Sequence, residues 1–144
     1  MATTIKTLYD TDLAAWAAHT AELLRAGRLD EVDLDNVAEE IESLGKREHR
    51  AARSQLTRML KHKVKQMIQP ERDGTSWRGS IAGALLKIQG HLEDSPSLRP
   101  YMEQNLQRFY QDAVKLAVIE TGLEHAEIPE TCPWTLAALL AEEG

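Results

Sequence analysis

The chain has 144 residues, a net charge of -6 and a single cysteine, Cys132. That length suits one domain over 1–144, able to bury a core without metal or disulfide staples, and a lone cysteine excludes an internal disulfide and points to a reducing, cytoplasmic setting. No apolar run approaches the roughly 18 residues of a membrane span, the opening MATTIKTLYD lacks a secretory apolar core, and the acidic balance weighs against general affinity for phosphate backbones.

Sustained apolar/polar alternation, the mark of strands, is absent, so the chain reads as helical throughout. The first helix spans 10–26, with Leu13, Trp16, Ala17, Leu23 and Leu24 at helical spacing and Gly27 just past its end. After GRLDEVD, Asp33 can accept from the backbone N–H groups ahead of it, and no proline intervenes before Pro70. The expectation is one helix of about 36 residues and about 54 Å, with Gly45 costing roughly 1 kcal/mol relative to alanine and marking a candidate bend. Thr75 or Ser76 can cap a third helix that carries Trp77, Ile81, Leu85, Ile88 and Leu92 to one side and ends at DSPS. A fourth helix, from near Pro96 to Thr121, has Leu98, Met102, Phe109, Ala113 and Ala117 in its apolar stripe, with Gly122 as its stop. A short last helix begins within 131–135 and holds Leu136, Leu139 and Leu140. Pro133 in its first turn, with Trp134 packed over it, accounts for the CPW tripeptide. The expected fold is all-α, a five-helix bundle organised on one long central helix.

The segments YDTDLAAW, LLRAGRLDEVDLDNVAEEIESLGKRE, HKVKQMIQPERDGTSW, SPSLR, ETGL and CPWTLAALL, in that order, resemble the bacterial family catalogued as domain of unknown function twenty-nine. The resemblance implies a single helical domain and supplies no mechanism, because the family carries no assigned activity. After His62 similar sequences tend to have a tryptophan and a second aromatic, where Gln66 and Ile68 stand here. Ala84 and Leu85 occupy what is often a Gln-Arg pair.

On a wheel of about 100° per residue, Leu34, Val37, Ile41, Leu44, Ala52, Leu56 and Met59 of the long helix fall on one arc, expected to face the core. Glu39, Glu42, Lys46, Arg47, Arg50 and Arg53 lie outward, acid before Gly45 and base after it, a distribution that also suits the helix dipole. Two copies of the helix meeting antiparallel at Gly45 would set each acidic half against the other's basic half, which makes this face a candidate surface for a homodimer or another protein. Nucleic-acid binding by the stripe 46–65 is the weaker alternative. That stripe holds eight of the 17 basic residues against one acid, but the adjoining acids would repel a phosphate backbone and no aromatics interleave.

Polar residues also fall inward. Glu48, Gln55 and His62 make a heptad-spaced line on the apolar arc, and Glu120 sits within the apolar stripe of the fourth helix. An antiparallel bundle would place Asp12 near Glu48 and Glu120 near His62, so Asp12, Glu48, Gln55, His62 and Glu120 form a candidate inward polar cluster. As a metal or small-molecule site it is the second reading. The di-iron Glu-x-x-His pattern is missing, and His19, His49, His62, His91 and His125 show no i,i+4 pairing. The leading expectation is therefore a small cytoplasmic interaction or assembly module without catalysis, cofactor or membrane attachment.

Overall fold

A computed structural model describes residues 2–124 and 126–141, with side chains from residue 7 onward. Among the described residues there are six α-helices, two single 3-10 turns and no strand. The helices are α1 (Ala2–Thr11), α2 (Leu13–Arg25), α3 (Leu34–Ile68), α4 (Thr75–Asp94), α5 (Leu98–Thr121) and α6 (Leu136–Leu140). The fold is all-α, organised on a long helix of 35 residues. The expected first helix is two. Asp12 leaves helical geometry and accepts the Ala15 N–H at 3.0 Å, capping α2, while α1 occupies a segment without helical apolar spacing. The helix α3 runs through Gly45 without a break. No side chain lies near that glycine to press a kink into it, and one glycine in 35 residues costs too little to end a helix.

The chain divides into two compact units, Met1–Lys46 and Arg47–Gly144. In the first, Trp16, Leu23, Val32 and Thr20 are buried. Tyr9 meets Trp16 edge-on at 4.8 Å and donates its hydroxyl to Glu40 at 2.6 Å, which pushes the phenol up to about 12. The helix α2 ends in a Schellman motif. Gly27, at φ +73°, lets its own N–H reach Leu24 C=O and the Arg28 N–H reach Leu23 C=O. The Asp33 carboxylate accepts from the Asn36 side chain at 2.5 Å.

In the second unit one continuous core joins Ala52, Leu56, Met59, Leu60 and Val64 of α3 to Ile81, Ala84, Leu85 and Ile88 of α4. Leu98, Met102, Phe109, Tyr110, Ala113 and Ala117 of α5, with Leu136 and Leu139 of α6, complete it. Gly74, not Thr75 or Ser76, stands at the N-cap of α4; its extended backbone turns the chain with no side-chain cap. Gly122, at φ +72°, stops α5. Pro133 lies in the loop ahead of α6 rather than in its first turn, and Thr135 caps that helix by accepting the Ala138 N–H at 3.1 Å.

The CPW loop is held from α5. Gln107 accepts the Cys132 N–H at 2.8 Å and donates to Glu130 C=O at 2.8 Å, and Tyr110 donates its hydroxyl to Pro129 C=O at 2.6 Å. Trp134 closes the loop edge-on against Tyr110 at 6.2 Å. Burial pushes the Cys132 thiol up, and its contact with Trp134 C=O only partly opposes that, so the thiolate is disfavoured.

Candidate functional site

Within the second unit, α3 and α5 run parallel because α4 returns between them. Arg53 donates to Asp112 at 3.5 Å and Lys61 to Glu120 at 3.1 Å, and each pair is separated by the same 59 residues of chain. Lys65 also pairs with Glu120. These bonds hold the Glu120 carboxyl below its ordinary range, Lys65 contributing most. Along the stretch between the two bridges lies an open groove of about 870 Å³. Five cations line it: Arg50, Arg53, Arg58 and Lys61 from α3, and Lys115 from α5. Asp112 is the one carboxylate among its lining residues, and Leu116 supplies an apolar wall. Among the described residues, Arg50, Arg58 and Lys115 have no acidic partner.

Two of the groove's uncharged polar residues are unsatisfied. Thr57 Oγ1 and His62 Nδ1 are buried atoms without a hydrogen-bond partner. Leaving such an atom unpaired costs about 1–3 kcal/mol. The His62 imidazole is pushed down to about 4, first by burial and then by Lys61, Lys65 and Arg58, with Glu120 opposing weakly. It is therefore neutral at pH 7.

The residues of the expected inward cluster do not assemble into one site. Glu48 and His62 are 14 residues apart on a straight helix, about 21 Å, beyond any shared ligand. Glu48 is half-buried and lies 3.8 Å from His91 of α4, and Gln55 is half-buried with its Oε1 unpartnered. Glu120, expected inward, stands exposed at the rim with the two lysines instead of His62. Asp12 is committed to its helix cap. No group of three or more His, Cys, Asp or Glu side chains converges among the described residues, and His125 lies outside them. His49 stacks on Tyr101 at 4.3 Å.

The outer face of α3 carries a second feature. Leu34, Ile41 and Leu44, expected in the core, are 60%, 65% and 56% exposed. They continue the stripe that Ala52, Leu56 and Met59 bury completely further along the same helix. Periodicity marks which face of a helix is apolar, not how far the neighbouring helices extend to cover it. Ala38 and Gly45 lie on the exposed part of this stripe, while Glu39, Glu42, Lys46, Arg50 and Arg53 lie away from it around the helix, Arg53 being engaged by Asp112.

The family model described as "Domain of unknown function DUF29" matches residues 8–143. The chain belongs to this family. The DUF29 match covers both compact units, and its description names no activity. No curated protein and no solved structure gave a match. In this DUF29 chain no described helix is long and apolar enough to cross a membrane. The groove residues Ser54, Thr57, Arg58 and Lys115 escape a reading of the sequence. The positions 50, 54, 57 and 61 do share a helical line, but only the parallel course of α5 adds Lys115 and Leu116.

Proposed function

We propose that this DUF29 chain is a non-catalytic assembly module of the bacterial cytoplasm that pairs with a second copy of itself, the two α3 helices crossing antiparallel at Gly45. The observation that carries this reading is the uncovered apolar stripe of Leu34, Ile41 and Leu44 on a helix whose later turns bury the same stripe. A patch of this kind marks an interaction surface more often than a solvated face. A second copy is the occupant of this reading. About a twofold axis at Gly45, residue i meets residue 90 minus i, so Gly45 meets its own counterpart and Ile41 the aromatic edge of the other copy's His49, while Glu39, Lys46 and Arg50 stand on the far side of the helix. A Cβ at Gly45 would meet nothing within 4 Å in the single chain, so the glycine's lack of a side chain serves no contact there and suits a close crossing of two helices. On this reading residues 1–144 act as one domain.

Cross-linking tests the geometry. Gly45→Cys is expected to join two copies by a disulfide under mild oxidation, because the axis brings residue 45 to its own counterpart, whereas Glu39→Cys on the far side of the helix should not, as read by non-reducing gel electrophoresis. A link through residue 45 alone supports the antiparallel crossing; equal linking through both positions, or none through residue 45, contradicts it.

A further inference from the structure

We infer that the α3–α5 groove of the second unit is a binding site for a small phosphate-bearing anion, with Arg58, Lys61 and Lys115 as its cationic walls and Thr57 and His62 as hydrogen-bond donors at its base. The chain as a whole carries a charge of -6, yet five cations line this one groove against a single carboxylate. Like charges so concentrated repel one another, and an anion relieves that repulsion. Arg53 and Lys61 have acidic partners at the two ends of the groove, whereas Arg58 and Lys115 have none among the described residues. The two unsatisfied atoms are an independent observation. Thr57 Oγ1 and His62 Nδ1 both belong to groove-lining residues, and each is a polar atom that the fold buries without a partner.

A neutral imidazole can carry its proton on Nδ1, and a hydroxyl can turn to donate. Both can therefore donate to the oxygen-rich, acceptor-only surface of a phosphate, and the five cations around them disfavour a metal ion in the same place. Leu116 and the aliphatic stems of Arg58 and Lys61 add an apolar wall, which suits an organic phosphate over the bare ion. The volume, about 870 Å³, accommodates a ligand of nucleotide size. A long nucleic-acid strand fits less well, since the groove is short, presents no aromatic side chain for stacking, and ends at Asp112 and Glu120. The inference does not rest on the pairing of two copies, because Arg58, Lys61 and Lys115 lie away from the crossing at Gly45.

Pyrophosphate and adenosine triphosphate, each titrated into the full chain against sodium chloride of equal ionic strength, test the site through the ring resonances of His62, assigned with His62→Gln. Saturable shifts are expected, with the His62 titration midpoint moving upward from about 4 as the bound anion favours the imidazolium. Arg58→Glu and Lys115→Glu, both at exposed positions, should each weaken binding tenfold or more, and Arg58→Lys less. Lys87→Glu on α4, outside the groove, should leave it unchanged. The inference is overturned if neither probe gives a saturable shift. It is overturned equally if Lys87→Glu weakens binding as much as Arg58→Glu, which would mean diffuse charge, or if a single-stranded RNA oligomer binds with a steep salt dependence while pyrophosphate does not.

Discussion

Gln107 is a single amide that holds an entire loop. Its carbonyl takes the Cys132 N–H and its NH₂ gives to Glu130 C=O, so the backbone of the CPW loop satisfies itself on one side chain of α5. Replacing it by alanine strands both groups, and Gln107→Ala is expected to destabilise the chain by about 1–3 kcal/mol in a urea titration. Gln107→Glu keeps the acceptor and loses the donor, and should fall between the two. His62 makes a different prediction at the same scale. The unfolded chain protonates this residue near 6.5, whereas the folded chain resists until about 4. Between those values the unfolded state binds more protons, so stability is fully present above about pH 6.5 and drains as pH falls toward 4. Thermal melts of His62→Gln should flatten that slope in the window from 6.5 to 4. The loss tied to Glu120, whose folded carboxyl lies below its ordinary range, sets in at lower pH and should persist in the variant. An unchanged slope in His62→Gln would remove the histidine as its source.

The element that organises the chain is α3. Its apolar periodicity, its acid-to-base course and its end ahead of Pro70 are all legible in the sequence, because each depends on residues a few positions apart. What covers the stripe is a tertiary matter. Leu56 and Met59 are fully buried because α4 and α5 lie over them, and Leu34 and Ile41 stay exposed although the sequence marks them identically. The groove was hidden for the same reason. Thr57 and Lys115 are unremarkable until two helices separated by α4 run parallel and bring them to one cleft. The split between α1 and α2 was missed because Asp12 caps a helix from inside what reads as continuous helical sequence. Gly45→Ala separates helix propensity from association. Measured at concentrations too low for pairing, it should raise stability by about 1 kcal/mol, since the glycine is helical and open space surrounds it. At higher concentration the added methyl should weaken association, whereas unchanged or tighter association would remove Gly45 from the crossing.

At the scale of the whole molecule, a net charge of -6 opposes the approach of two copies at long range, so the proposed pairing would have to rest on its apolar stripe. Against that acidity, the groove in the second unit is lined by five cations and a single carboxylate. Sedimentation equilibrium of wild type beside Ile41→Glu reads the self-association directly. The expected masses are two chains for wild type and one for Ile41→Glu, a substitution at a residue 65% exposed that leaves the single chain folded. A one-chain mass for wild type at every concentration and salt, or a dimer that Ile41→Glu leaves intact, would contradict it.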